Sequence, residues 1–82
     1  MEQKYYIFVV ESGWVFSGMV ESETEQVLNV TDAKVIAVWG TSRGLGQLAK
    51  SGPTKETKLE PCMFVEIQKS KLLFRIPCEV AL

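Results

Sequence analysis

The chain contains no histidine, and that single absence removes much ordinary enzyme chemistry. Without imidazole there is no Ser-His or Cys-His nucleophile pair, no imidazole acid–base group and no His ligand for a metal. Cysteine is scarce as well: Cys62 and Cys78 are two thiols where a structural zinc site takes four ligands. The carboxylates Asp32, Glu56, Glu60 and Glu66 are scattered rather than paired, so they make no acid–base couple. The expectation is a protein that is not an enzyme and carries no metal and no cofactor. Long apolar runs are missing too. The longest, Tyr5–Val10, is far short of the roughly 20 residues a membrane helix needs, so no membrane association is expected. Met-Glu-Gln-Lys lacks the basic and apolar blocks of a signal peptide, which points to a cytoplasmic location.

What is present is an ordinary globular composition, 46% apolar and 23% charged over 82 residues, enough for one core and a single domain spanning 1–82. Charge is unevenly spread. Residues 1–32 set Lys4 against six carboxylates, a net of −5, whereas residues 33–82 hold eight basic and four acidic side chains, a net of +4. Such a division allows one positive surface on a nearly neutral protein, and equally describes an unevenly sampled solvated surface.

The pattern along the chain is that of strands. Lys4–Glu11 is aromatic and β-branched, Ser12-Gly13 is a turn signal, and Trp14–Val20 resumes strand character, giving a hairpin. In its second arm Trp14, Phe16, Gly18 and Val20 share one face, and Val15, Ser17 and Met19 the other. Gln26–Thr31 and Ala33–Trp39 read as a third and a fourth strand. Cys62–Gln68 and Leu72–Ile76 read as a second hairpin about Lys69-Ser70, with Met63, Val65 and Ile67 on one face and Leu72, Phe74 and Ile76 on one face. A three-residue loop centred on Ser70 would set Cys62 opposite Cys78; a two-residue loop would set Pro77 there instead. In a reducing compartment free, buried thiols are expected. The fold class is mainly β, a small antiparallel sandwich or partly closed barrel of about six strands with one short helix.

That helix belongs to the most informative segment, residues 35–50. Gly44-Leu-Gly-Gln-Leu-Ala-Lys suits one to two helical turns and Gly52-Pro53 stops them. Gly44-x-Gly46-x-x-Ala49 fits a dinucleotide-binding fingerprint, and Gly40-Thr-Ser-Arg-Gly44-Leu-Gly46 resembles the glycine turn of the short-chain dehydrogenases. The rest of the chain opposes that family. Tyr5 and Tyr6 precede the turn with no Lys four residues on, Trp39 stands where Thr is usual, and the helix is too short to cross a parallel sheet. The local chemistry survives: a glycine-rich turn with Arg43 in it, leading into a helix, is an anion cradle on any scaffold. Lys50, Lys55 and Lys58 add charge, and Trp39 offers a stacking face. The candidate ligand-binding residues are Trp39, Gly40, Thr41, Ser42, Arg43, Gly44, Gly46 and Lys50. The plainer reading has the glycines only turning the chain while Leu45 and Leu48 seat the helix on the sheet.

Trp39-Gly40, Gly44-Leu45-Gly46, Leu48-Ala49 and Gly52-Pro53, with the later Thr57, also resemble a family of short bacteriophage and bacterial proteins, over roughly residues 5–78. The resemblance implies an accessory role in a phage or mobile element and brings no activity with it. The leading expectation is a non-catalytic binding protein that takes a nucleotide-like anionic small molecule at residues 39–53. The alternative is a protein-interaction module that modulates a host protein through a strand edge or the acidic Glu21, Glu23 and Glu25. A third is a small barrel for single-stranded nucleic acid, which the weak net charge disfavours. The aromatics Tyr5, Tyr6, Phe8, Trp14 and Phe16 suit a core, a stacking platform or a homo-oligomer interface.

Overall fold

Tyr5–Val10 is apolar throughout because both of its faces are covered. The computed structural model describes residues 5–82, and in it this strand, β1 (Tyr5–Val10), lies between β2 (Val15–Glu23) and β5 (Leu72–Pro77). Ile7 and Val9 face a cluster with Val15, Ile36, Leu45, Leu48 and Ala49, which the helix α1 (Gly44–Ser51) closes. Tyr6, Phe8 and Val10 face a second cluster with Leu28, Val30, Ala33 and Ile67. Fully burying a side chain such as Phe8 or Leu48 contributes about 1.5–3 kcal/mol. With β3 (Val27–Val38) and β4 (Lys58–Gln68) the described residues form one antiparallel sheet of five strands, in the order β4-β3-β2-β1-β5. The fold is mainly β with one short helix, and the sheet curls without closing into a barrel.

The first hairpin follows its sequence signal, with Phe8 opposite Phe16 and Val9 opposite Val15 around a 3₁₀ turn at Glu11–Gly13. The third and fourth strands expected from sequence are one 12-residue strand, β3, which lowers the count to five. Asp32 is where the two halves join. It takes a left-handed φ of 51°, and the ladder shifts register beside it toward both β2 and β4. An extra residue in one strand of a pair bends and twists the sheet locally, so β3 changes direction here instead of ending. Gly18 lets β2 ride over this bend: a Cβ there would run into the Val30 side chain and meet the Thr31 carbonyl oxygen at 3.1 Å. On the other side Met63 has φ 63°, which turns its side chain outward, and Cys62 packs inward with Val65 and Ile67 in its place.

These bends curl the sheet far enough that its two edge strands meet at one end. There β4 passes to β5 through a single 3₁₀ turn, Lys69–Lys71. The second hairpin expected from sequence is therefore replaced by a crossover: β4 pairs with β3, β5 pairs with β1, and the two lie on opposite edges. The ring of contacts is fastened where they meet. Lys69 N–H donates to the Gln26 carbonyl at 2.8 Å, and the Glu23 carboxylate pairs with Lys69 and with Arg75 of β5. Arg75 also lies 4.8 Å from the Tyr6 ring centroid. On β5 the register shift makes Leu73 an extra residue, so Leu72 packs in the second cluster and Ile76 in the helix-side cluster.

Both the bend and the fastening can be tested. Gly18→Val forces a branched side chain into the β2–β3 crossing; urea denaturation is expected to show a loss of at least about 1–3 kcal/mol, and an unchanged midpoint contradicts the packing described. Glu23 is held below its ordinary carboxylate value of 4.5, chiefly by the hydrogen bond from Lys69, with Arg75 adding and burial opposing. A depressed folded pKa makes the stabilisation present above 4.5 and lost as pH falls through the lowered value. Glu23→Gln should lower the melting temperature at neutral pH and flatten the acid limb of a melting-temperature profile; an acid limb identical to the unsubstituted protein's rules the ion pairs out as a fastening.

Candidate functional site

Helical periodicity sorts the residues of α1. Leu45, Leu48 and Ala49 are buried on the sheet, and Arg43, Gly46, Gln47 and Lys50, spaced i, i+3, i+4, i+7, share the opposite face. With Ser42 and Ser51 they line a shallow concavity at the surface. Over seven residues the helix rises about 10 Å, so the two cations bracket the concavity rather than meet at one point. Neither Arg43 nor Lys50 is in an ion pair among the described residues. The Gln47 Oε1 reaches back to accept from Arg43 N–H at 3.0 Å and from Ser42 Oγ at 3.4 Å, capping the first turn. At the other end Gly52 N–H donates to the Leu48 carbonyl at 2.9 Å.

The loop leading into α1 is stitched to the turn beyond the helix. Thr57 Oγ1 donates to the Trp39 carbonyl at 2.7 Å and Thr54 Oγ1 to the Gly40 carbonyl at 2.6 Å. Gly40 has φ 70°, and a Cβ there would strike the Glu56–Thr57 backbone, so only glycine fits this approach. Thr41 Oγ1 donates to the Gly44 carbonyl at 2.7 Å. Of the eight residues that the sequence put forward, Ser42, Arg43, Gly46 and Lys50 come together in the concavity. Trp39, Gly40, Thr41 and Gly44 do not line it. Gly40 and Thr41 shape the loop, and the Trp39 indole, 43% exposed, lies beside Gly44.

Gln47 and Ser51 complete the concavity and were not among the sequence candidates. Gln47 carried no capping-box signal, since it stands four residues after Arg43 where that motif places its amide three after the cap. Gly46 stands apart from the other glycines of the loop. It is exposed, helical, and a Cβ there would meet nothing, so the fold gives no reason for glycine at that position.

Elsewhere the chemistry is sparse. No group of three or more Cys, Asp or Glu side chains is placed to hold a metal ion among the described residues. Cys62 and Cys78 are free, as expected, but only partly buried, and they pack against different clusters, Cys62 against that of Phe8 and Leu28 and Cys78 against that of Ile7 and Leu48. The cross-strand pairing weighed from sequence disappears with the hairpin that would have made it. Burial pushes the Cys78 thiol up to about 11 and raises Cys62 as well. The aromatic strip is mostly core: Tyr5 and Phe8 are buried, and Trp14, 56% exposed, stacks on Phe16 at 6.4 Å. No helix of the described residues is long and apolar enough to cross a membrane.

The raised thiol pKa and partial burial of Cys78 predict that it reacts more slowly with a thiol-specific reagent at neutral pH in the folded protein than in the unfolded chain. Fast labelling of Cys78 in the folded protein contradicts its placement against Ile7 and Leu48. Comparison of the chain with protein-family models, with curated proteins and with solved structures finds no match.

Proposed function

We propose that the protein is a non-catalytic binding protein whose exposed face of α1 takes an anionic small molecule of nucleotide type. The observation that carries this reading is Gly46, a helical glycine that nothing in the fold requires, placed between Arg43 and Lys50. Glycine inside a helix costs about 0.5–1 kcal/mol relative to alanine. A bare backbone at that point has a use if a ligand lies against it. Arg43 offers a planar fork of donors for a phosphate, Lys50 a second positive charge one and a half to two turns away, and Ser42 and Ser51 hydroxyls. The spacing of the two cations suits a ligand with more than one anionic group. Guanidinium, ammonium, amide and hydroxyl groups bind and orient; the lining has no carboxylate, thiol or imidazole to move a proton. An accessory role in a phage is in keeping with such a binder.

The test separates fold from function at one atom. Gly46→Ala should raise the unfolding free energy by about 0.5–1 kcal/mol, because its Cβ enters open space in a helix. It should also weaken nucleotide binding, because the same Cβ occupies the approach. In a thermal-shift screen against mono-, di- and cyclic nucleotides, saturation at 100 times the dissociation constant adds about 2.7 kcal/mol to wild-type stability. Gly46→Ala and Arg43→Ala should both reduce that shift. A ligand that stabilises all three proteins equally overturns the assignment.

A second reading, a protein-interaction module, is favoured by the apolar side chains on the edge strands. Met63 and Phe64 of β4 are 79% and 52% exposed, and Leu73 and Phe74 of β5 60% and 52%. The acidic stretch Glu21, Glu23 and Glu25 is a weaker basis for it, since Glu23 of the three is taken up by Lys69 and Arg75.

A further inference from the structure

Positive charge is not spread evenly over the fold once its ion pairs are removed. Of the cations among the described residues, Lys34, Lys69, Lys71 and Arg75 each face a carboxylate. Arg43, Lys50, Lys55 and Lys58 face none, and all four lie exposed within residues 39–58. That segment holds one carboxylate, Glu56, with Glu60 just beyond it and Glu79 joined by its N–H to the Ala49 carbonyl. The loop stitching gathers these cations about Trp39. Thr57 Oγ1 holds the Trp39 carbonyl and Thr54 Oγ1 the Gly40 carbonyl, which brings the turn carrying Lys55 to the loop. Lys58 follows Thr57 and pairs with Val38 in the β3–β4 ladder. On the helix side the Trp39 ring lies beside Gly44, which Arg43 immediately precedes, and Lys50 continues the series along α1. The indole itself is 43% exposed, and among the described residues neither an aromatic ring nor a cation covers it. Phosphates supply what the four cations lack, and an unpaired base supplies a partner for the ring.

From this we infer that the ligand of the α1 face is a single-stranded nucleic acid, its phosphates meeting Lys50, Arg43, Lys55 and Lys58 and one of its bases stacking on Trp39. The inference rests on the anion reading of α1 and extends it. A single nucleotide fills the concavity, which Trp39 does not line, whereas a strand reaches from there past Gly44 to the indole and the 54–57 turn. A duplex is excluded as the partner, because its base faces are already stacked. Charge and stacking carry no base-edge readout, so the strand is bound with little sequence preference.

The experiment is fluorescence anisotropy of the full chain with labelled oligo-dT and oligo-U of about ten residues, which separate DNA from RNA as the strand, at several salt concentrations. At least one should bind more tightly than a nucleoside diphosphate used as competitor, with an affinity that falls as salt rises. Lys55→Gln combined with Lys58→Gln should lower the slope of log affinity against log salt by about 1.4, since each phosphate contact on a single strand contributes about 0.7. Trp39→Ala should weaken the oligomer roughly 5- to 150-fold, and Trp39→Phe, which keeps a ring, should lose less. Oligomers bound no more tightly than the nucleoside diphosphate overturn the inference and leave the α1 site standing; no binding of either kind overturns both. An unchanged salt slope in the lysine variant, an unchanged affinity in Trp39→Ala, or a duplex bound as tightly as the single strand also overturns it. Circular dichroism checks that each variant is folded; should Trp39→Ala fail, the exposed lysine pair and the duplex comparison still decide the outcome.

Discussion

The bend at Asp32 is the constraint on which the rest of the architecture depends. A five-stranded sheet with regular ladders would hold its first and last strands far apart in space, and no three-residue turn could join them. The left-handed residue in β3, the register shifts beside it and the close passage at Gly18 turn the sheet back on itself. The crossover at Lys69–Lys71 then becomes possible, and Glu23 meets Lys69 and Arg75. Curling also gives the sheet an inside, so Phe8, Leu28, Val30 and Ile67 are buried without a second layer over them. The convex side still needs a cover, which α1 supplies with Leu45, Leu48 and Ala49.

That division of labour explains where the candidate site lies. An eight-residue helix that must bury one apolar stripe has its opposite face left over, and the loop that delivers it is pinned by Thr54 and Thr57 instead of by packing. Most of the glycine-rich segment is thereby accounted for. Gly40 allows the loop to press on the Glu56–Thr57 backbone, and Gly52 ends the helix. Gly46 alone remains outside this structural account, and it lies between two cations that have no carboxylate partner among the described residues.

Local signals in the sequence are legible where local geometry decides the outcome. The first hairpin is set by alternation on either side of Ser12-Gly13, and α1 by apolar spacing closed by Gly52-Pro53. The β4–β5 relation is not legible, because it depends on a curl that arises at Asp32, some forty residues away in sequence. Asp32 reads as a break between two strands because an acidic residue in an apolar run looks like a turn. Strict alternation likewise misplaces Met63 and Leu72, since a left-handed residue and an extra residue each reverse the facing of the residues after them. In the site, Arg43, Gly46 and Lys50 are visible as charge around glycine. Trp39 lies off the concavity, its ring beside Gly44 and its carbonyl held by Thr57, an arrangement set by tertiary stitching that the sequence does not show.

Backbone amide shifts in a titration with a nucleoside diphosphate test the central functional claim most directly, since they report where a ligand sits without any substitution. The account predicts that the perturbations concentrate on Ser42–Ser51, largest around Gly46, and leave the amides of β4 and β5 unchanged. Perturbations centred on another surface, or none with mono-, di- and cyclic nucleotides alike, would contradict it.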